Sequence, residues 1–244
     1  MKNTTNRAET AAEAKDKQAL KHRPIRSFVR HHGRLTSGQQ HALDNYWHEF
    51  GIDYTGKPLD LSLFGHFDRV VLEIGFGNGE TLVEMAKQAP NTLFIGAEVH
   101  KPGVGRALML AKENGLNNLR VIEHDAVEFI DTMLPEHCID RVQIFFPDPW
   151  HKKRHFKRRL IQPAFCRKLQ RIMKAKGILH VATDWLPYAE HCVEVIDGLD
   201  YFKNVSPTND YIDKPDYRPE TKFERRGLKL GHEVRDMHFV VSIE

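Results

Sequence analysis

The chain has 244 residues, of which 41% are hydrophobic and 28% charged, so its composition is globular and excludes a chain that is disordered or fibrous throughout. This length predicts one large domain or one domain with appendages. The formal net charge of +3 is small, no run of about eighteen apolar residues predicts a membrane helix, and the N-terminus lacks the apolar stretch of a secretory signal. We therefore expect a cytoplasmic protein without a membrane segment.

The N-terminal part of the chain differs in composition from the rest. Residues 1–22 are rich in Ala, Glu, Lys and Thr, and such a composition is typical of a mobile tail. Residues 23–67 mix aromatic and basic side chains, which predicts an appendage packed on the main domain. The main domain is then expected to span residues 68–244.

Short apolar runs alternate with helix-like segments through the main domain. Runs of this length indicate parallel strands buried on both faces, so the pattern predicts an α/β fold with a doubly wound, Rossmann-like sheet. The runs are Val70–Ile74, Leu93–Ala97, Leu119–Ile122, Val142–Phe146 and Ile178–Ala182.

An acidic residue closes or directly follows each predicted strand. In open α/β sheets ligands bind beyond the carboxyl ends of the strands, so these carboxylates are expected to line one cleft. They are Glu73, Glu98, Asp125, Asp148 and Asp184.

A glycine-rich loop, E-I-G-F-G-N-G, follows the first strand. Its glycines would let a ligand approach the backbone without a Cβ in the way, and they are Gly75, Gly77 and Gly79. A dinucleotide loop needs G-x-G-x-x-G, and Glu80 stands where the third glycine belongs, which disfavours a nicotinamide-dependent oxidoreductase. Glu98 is placed to hold ribose hydroxyls, Asp125 to meet an adenine amine, and Glu73 to favour a cationic ligand over a pyrophosphate.

A run of basic residues without an acid extends from His151 to Lys176. Its second half coincides with apolar positions at helical spacing between Ile161 and Met173, with Gly177 just past the expected helix end. Dense like charges repel one another and indicate a polyanionic partner, while the alternative is a solvated helix surface. The cations that precede the helix are Lys152, Lys153, Arg154, Lys157, Arg158 and Arg159.

Three motifs resemble the tRNA (guanine-N7-)-methyltransferase family of bacteria, and the match runs from about residue 25 to the C-terminus. They are F-F-P-D-P-W-H-K-K-R-H-F-K-R-R, A-T-D-W and T-K-F-E. The glycine loop is similar to the cofactor loop of class I S-adenosylmethionine methyltransferases. The resemblance implies S-adenosylmethionine as cofactor, tRNA as partner, a mostly parallel sheet with an antiparallel C-terminal strand, and methylation at guanosine 46 of the variable loop.

The resemblance also implies roles for the residues at matching positions. Cofactor contacts are implied for the glycine loop, Glu73, Glu98, Asp125 and Asp148, and Asp148 is the implied catalytic residue. Substrate contacts are implied for Lys152, Asp184, Thr221, Lys222, Phe223 and Glu224. RNA contacts are implied for Arg154, Lys157, Arg158 and Arg159. We expect a monomer or homodimer, and no metal, because His151 and His155 stand among cations.

The chemistry of guanine N7 sets modest demands on the protein. N7 has an exposed lone pair and no proton, so its methylation needs alignment and charge stabilisation rather than a general base. We expect Asp148 in P-D-P-W to stabilise the moving charge and Trp150 to offer a stacking surface, whereas the alternative is that P-D-P-W is only a rigid turn. Asp184 or Glu224 could select guanine through its N1–H and amino groups, and the sequence leaves both open.

Two other functions stay open at this point. One is methylation of another nucleobase atom or another RNA, which P-D-P-W disfavours because amine methylation usually goes with a D/N-P-P-Y-type loop. The other is RNA binding without catalysis. The row of acids at the strand ends disfavours it, because anions in a cleft weaken RNA binding unless they serve a ligand.

Overall fold

The computed structural model describes residues 26–28, 33–208, 210–221, 224–225, 231 and 233–242. Its helices are α1 (Ser37–Phe50), α2 (Glu80–Gln88), α3 (Lys101–Glu113), α4 (Ala126–Thr132), α5 (Pro163–Ile172) and α6 (Leu186–Asp197). Its strands are β1 (Arg69–Ile74), β2 (Thr92–Glu98), β3 (Leu119–Glu123), β4 (Ile139–Phe145), β5 (Met173–Thr183), β6 (Phe202–Asn204) and β7 (Arg235–Val241). Short 3₁₀ helices cover Leu61–Phe64 and Lys153–Arg158.

The strands within these ranges form one sheet in the order β3-β2-β1-β4-β5-β7-β6. Strands β1 to β5 pair in parallel, while β7 runs antiparallel to both β5 and β6. The doubly wound, mostly parallel sheet and its antiparallel C-terminal strand are therefore confirmed. The chain moves outward from β1 to β3 and then returns to β4, so the switch point where such sheets bind ligands lies between β1 and β4.

The start of β5 differs from the sequence prediction. Helix α5 ends at Ile172 and β5 begins at the next residue. Gly177 therefore lies inside the strand, whereas the helix pattern predicted that it would lie just past the helix end. A Cβ at Gly177 would come within 2.9 Å of the Lys174 carbonyl oxygen, where the register between β4 and β5 shifts. A glycine inside a strand often marks such a close backbone approach.

Apolar side chains cover the sheet on both faces. Helices α1, α2 and α3 pack on one face with Val71, and helices α4, α5 and α6 pack on the other face with Leu72. Strand β1 is thus buried on both sides, as its continuous apolar run predicts. Within the described ranges, no helix has the length and apolar character needed to cross a membrane.

Replacing Leu72 with alanine is expected to lower the free energy of unfolding by about 2–5 kcal/mol, because this fully buried side chain packs at the centre of the sheet. Urea denaturation measures the change. Leu63, which is 75% exposed, provides the matched control, and Leu63→Ala should change the free energy by less than about 0.5 kcal/mol. Equal losses in the two variants would contradict this core.

Candidate active site

A cavity of about 480 Å³ opens beyond the carboxyl ends of the central strands. Three of the acids predicted from the strand ends line it, namely Glu98, Asp125 and Asp148. Ser27 and Phe28 of the N-terminal segment form part of the opposite wall. The cavity therefore combines strand-end carboxylates with a segment that lies far away in sequence.

A second cavity of about 580 Å³ adjoins the first, since both are lined by Gly75 and Phe146. Glu73, the rest of the glycine loop and residues 219–221 form its walls. Four of the five strand-end acids therefore border one continuous cleft. Asp184 lines neither cavity.

The glycine loop between β1 and α2 depends on its glycines for backbone conformation. Gly75, Gly77 and Gly79 have φ values of 78°, 60° and 75°, in the left-handed region that side chains with a Cβ disfavour. Gly103 in α3 is needed for a different reason, because a Cβ there would collide with the carbonyl oxygen of Gly77. The loop and the start of α3 are thus held in direct backbone contact.

The carboxylate of Glu98 joins these two backbone segments. Its Oε2 accepts a hydrogen bond from the Gly77 N–H at 2.9 Å, and its Oε1 accepts from Val99 at 2.7 Å and His100 at 2.9 Å. An ionised carboxylate offers about four acceptor positions, so one remains for a ligand hydroxyl. Its place in the first cavity is consistent with the role expected from its spacing after the glycine loop.

Glu73 is buried at the end of β1, with 2% of its surface exposed. Burial raises the pKa of its carboxyl to about 7, although a hydrogen bond from Gln143 at 2.9 Å and the charge of Arg141 both act to lower it. The carboxylate of Glu98 adds to the upward shift of this pKa. A cationic ligand in the second cavity would favour the ionised form of Glu73.

Asp125 lies at the junction between β3 and α4. Its Oδ1 accepts a hydrogen bond from the Val127 N–H at 2.9 Å, so the side chain caps the helix. Burial raises the pKa of this carboxyl, while the bond from Val127 opposes the shift. The cap fixes the carboxylate at the wall of the first cavity.

The P-D-P-W loop after β4 has an unusual backbone. Phe146 and Trp150, on either side of the prolines, have φ values of 51° and 47°, which are rare for residues with large side chains. The Phe146 N–H donates to the Ala182 carbonyl at 2.8 Å, which continues the pairing of β4 with β5. Asp148 is exposed at the rim of the first cavity. Strained residues persist where their surroundings fix them, and they cluster at functional sites.

Trp150 binds Ser27, a residue that lines the first cavity. Its indole N–H donates to the Ser27 carbonyl at 2.9 Å, and the guanidinium of Arg158 lies 4.7 Å from its ring centroid. The ring of His155 meets it edge-on at 5.7 Å. The indole therefore anchors Ser27, and the stacking surface expected from the sequence stays a prediction.

The basic residues after P-D-P-W divide into exposed and buried members. Arg159 is only 4% exposed, and its Nε donates to the Pro149 carbonyl at 3.1 Å while its guanidinium stacks 3.7 Å from the centroid of Phe156. In this position Arg159 supports the loop, and the RNA contact implied for it stays a prediction. Arg158 is partly buried. The exposed cations are Lys152, Lys153, Arg154 and Lys157.

Asp184 follows β5 on the side of the P-D-P-W loop. The next residue, Trp185, meets the ring of His151 edge-on at 4.4 Å, which brings the A-T-D-W and P-D-P-W-H segments together. Asp184 is partly exposed. The segment that carries Asp184 therefore lies beside the loop that carries Asp148.

The two described residues of the T-K-F-E segment differ in what they contact. Thr221 lines the second cavity, while Glu224 is buried and its carboxylate accepts two hydrogen bonds from the Arg218 guanidinium, at 2.6 and 3.0 Å. Lys222 and Phe223 lie outside the described residues. Of the two candidates for reading guanine, Glu224 is thus committed to an internal ion pair.

Sequence reasoning missed the partners of Glu224. Arg218, Asp236, His180 and Tyr217 form a connected polar cluster below the T-K-F-E segment. These residues have no common spacing in the sequence, and they meet only because β7 pairs with β5. The one local signal was a single arginine in R-P-E-T-K-F-E.

Replacing Glu73 with glutamine tests whether burial raises the pKa of its carboxyl. Because the folded pKa of about 7 exceeds the ordinary value of 4.5, the stability that Glu73 contributes is complete below pH 4.5 and is lost as the pH rises through 7. Glutamine cannot ionise and still accepts the bond from Gln143. Glu73→Gln should therefore exceed the wild type in free energy of unfolding by at most about 3 kcal/mol at about pH 8, and by little at about pH 5.

Urea denaturation of the ligand-free protein at both pH values measures this difference. Glu136→Gln serves as the control, because Glu136 is exposed in the loop before β4. A difference for Glu73→Gln that is the same at both pH values would rule out the raised pKa as its cause.

Comparison with known proteins agrees with this geometry. Residues 68–237 match the family described as "Putative methyltransferase". The chain is 55% identical over 218 residues to the tRNA (guanine-N(7)-)-methyltransferases of Cronobacter sakazakii and of Serratia proteamaculans, which covers 89% of this chain and 91% of each relative.

The fold also matches a solved structure, the 16S rRNA methyltransferase KamB, with a TM-score of 0.56. That match covers 77% of this chain and 96% of KamB at 17% identity, so it supports the fold alone. The extent and identity of the sequence matches decide the family. The chain belongs to the tRNA (guanine-N(7)-)-methyltransferase family.

Proposed function

We propose that this chain transfers the methyl group of S-adenosylmethionine to N7 of guanine in tRNA, at guanosine 46 of the variable loop, to form 7-methylguanosine. The observation that carries the proposal is the cleft itself. Four strand-end carboxylates border it, the P-D-P-W loop forms its rim, and a turn of exposed cations follows directly. The names of the relatives supply the acceptor atom and the RNA.

The proposal extends to the organisation of the chain. Residues 68–244 would form the catalytic domain and residues 23–67 an appendage, while the tail expected at residues 1–22 lies outside the described residues. Within the appendage, Phe50 and Ala42 of α1 are buried against α3, in keeping with a packed extension. We place the protein in the cytoplasm as a monomer or homodimer.

The first cavity suits S-adenosylmethionine in size and chemistry. Its volume of about 480 Å³ lies in the range of small-molecule sites. Glu98 would accept from ribose hydroxyls and Asp125 from the adenine amine in the first cavity. Glu73 and the glycine loop, which line the adjoining second cavity, would hold the charged amino acid end. When bound, the cofactor supplies a methyl group made electrophilic by its sulfonium.

Asp148 would contribute electrostatic stabilisation at the rim of this cavity. As N7 is methylated the guanine ring becomes cationic, so a fixed carboxylate beside the base stabilises the developing charge. The loop backbone holds Asp148 before any substrate arrives, through the Phe146–Ala182 bond and the anchored Trp150. Such prior alignment is a major part of catalysis for a reaction that needs no proton transfer.

Asp184 is the better candidate for reading the guanine edge. It is partly exposed in the segment beside the P-D-P-W loop, whereas Glu224 is only 4% exposed. A carboxylate at Asp184 would accept from guanine N1–H and its amino group, which adenine cannot match. Thr221 would form part of the acceptor wall, and we retain Lys152, Lys222 and Phe223 as substrate contacts.

The exposed cations would hold the tRNA backbone. The exposed Arg154 and Lys157 and the partly buried Arg158 stand on the 3₁₀ helix that follows P-D-P-W. Contacts to phosphate give affinity and orientation without reading sequence. Arg159 contributes to this surface by supporting the loop through its bond to Pro149.

Replacing Asp148 tests the chemical part of the proposal. We expect Asp148→Asn to lower kcat by about 10²–10³, because the fixed charge beside the base is lost while the shape is kept. The measurement is transfer of labelled methyl to unmodified bulk tRNA followed by nucleoside analysis, with the cofactor saturating. The control is Asp200→Asn, since Asp200 is exposed between α6 and β6.

The outcomes of this experiment separate its two claims. Wild-type label in 7-methylguanosine that is lost with Asp148→Asn and kept with Asp200→Asn supports both. Label in another nucleoside would overturn the acceptor, and an Asp148 variant as active as the wild type would overturn the role of Asp148.

Removal of two exposed cations tests the RNA surface. Arg154→Ala combined with Lys157→Ala should weaken tRNA binding and reduce the slope of log affinity against log salt concentration by roughly 1–2 units. Filter binding at several salt concentrations gives the slope. The control pair, Lys203→Ala with Lys214→Ala, removes equally exposed charges elsewhere, and an equal effect of both pairs would contradict a localised surface.

A further inference from the structure

A buried ion cluster connects β7 to the segment that walls the second cavity. Arg218 is only 1% exposed, and its guanidinium donates to both carboxylate oxygens of Asp236, each at 2.7 Å. The same guanidinium donates to both oxygens of Glu224 at 2.6 and 3.0 Å. One side chain thus joins the sheet to the T-K-F-E segment.

The Glu224 end of this cluster controls a local turn. Glu224 Oε2 also accepts from the Thr221 N–H at 3.2 Å, and Thr221 Oγ1 accepts from the Glu224 N–H at 2.9 Å. These reciprocal bonds close the turn as a helix cap would. Thr221 and the preceding Glu220 line the second cavity, so the turn forms part of its wall.

The Asp236 end is fixed in the sheet. The Nε2 of His180 lies 2.7 Å from Asp236 Oδ1, and its Nδ1 lies 2.8 Å from the Tyr217 hydroxyl. Burial acts to raise the pKa of Asp236, but the bonds from His180 and Arg218 hold it below its ordinary value. Asp236 therefore stays ionised, and the guanidinium is balanced by two carboxylates.

A need for stability alone is a poor explanation of this cluster. Buried ion pairs often stabilise a fold no better than apolar residues of similar size, because removing charges from water is costly. Their best-supported advantage is that directional bonds fix one arrangement of the groups they join. Here the groups are a rigid strand and the turn beside the second cavity.

We propose that Arg218 is a positioning residue for the acceptor side of the site. Held by Asp236, it orients Glu224 and thereby the Thr221 turn, which sets how the tRNA base is held. Arg218 itself lines neither cavity. This inference rests on the proposed function, and it assigns Glu224 an indirect role as the link between Arg218 and the turn.

The test uses two conservative variants and their combination. Arg218→Lys keeps the charge but cannot donate to two carboxylates at once, and Glu224→Gln keeps the shape but removes the charge. Each should raise the KM for tRNA roughly tenfold, as expected for loss of a charged hydrogen bond, with a much smaller change in kcat. The dissociation constant of the cofactor should change less than the KM for tRNA, because the cluster does not border the first cavity, where the ribose and adenine contacts are proposed.

The double variant separates an indirect role of Glu224 from a direct one. If Arg218 acts through Glu224, the double variant should raise KM no more than the larger single change. If the two changes multiply, Glu224 acts on the base independently and the proposal is overturned. Ile172→Val, a conservative change in the buried core of α5, controls for loss of stability. If this control raises the KM for tRNA as much as Arg218→Lys does, the proposal is also overturned.

Hydrogen exchange of the free protein tests positioning without relying on methylation. Arg218→Lys should speed amide exchange at Glu220, Thr221 and Glu224 relative to the wild type and to Ile172→Val. Unchanged exchange overturns the proposal, as does faster exchange with an unaltered KM. A wild type that makes no 7-methylguanosine would refute the proposed function, while the exchange result would still decide whether Arg218 positions the turn.

Discussion

Backbone N–H groups at the carboxyl edge of a parallel sheet need acceptors that neither the sheet nor the helices provide. Glu98 meets this need for the glycine loop and for the start of α3 at the same time, by accepting from Gly77, Val99 and His100. The absence of a Cβ at Gly103 allows the two segments to approach closely enough for that arrangement. The shape of the first cavity therefore depends on one carboxylate, which we propose also binds the cofactor.

The structure buries charge in two contrasting ways. The guanidinium of Arg218 binds two carboxylates, so its positive charge is compensated within the protein and directional bonds fix the cluster. Among the described residues, Glu73 has the amide of Gln143 as its one close donor, and the pKa of its carboxyl rises to about 7. A group left uncompensated in this way responds to a charged ligand, whereas a compensated cluster does not.

The sequence predicted the features that arise from local pattern and spacing. Strands β1 to β5, the left-handed glycines and four carboxylates in one cleft follow from apolar periodicity and from the geometry of parallel sheets. The early start of β5 did not follow from the sequence, because a glycine such as Gly177 suits a bulge within a strand as well as a helix end. The roles of Trp150, Arg159 and Glu224 depend on partners distant in sequence or fold, such as Ser27, which local pattern cannot reveal.

These long-range contacts explain why P-D-P-W is more than a rigid turn. A rigid turn needs only its prolines, but here strand β5 binds Phe146, the N-terminal segment binds Trp150, and Arg159 binds the carbonyl of Pro149. Each bond comes from a different part of the chain, and together they maintain left-handed backbone at two large residues. A conformation that costs free energy at both ends of Asp148 is explained if the position of that carboxylate is what the surrounding structure maintains.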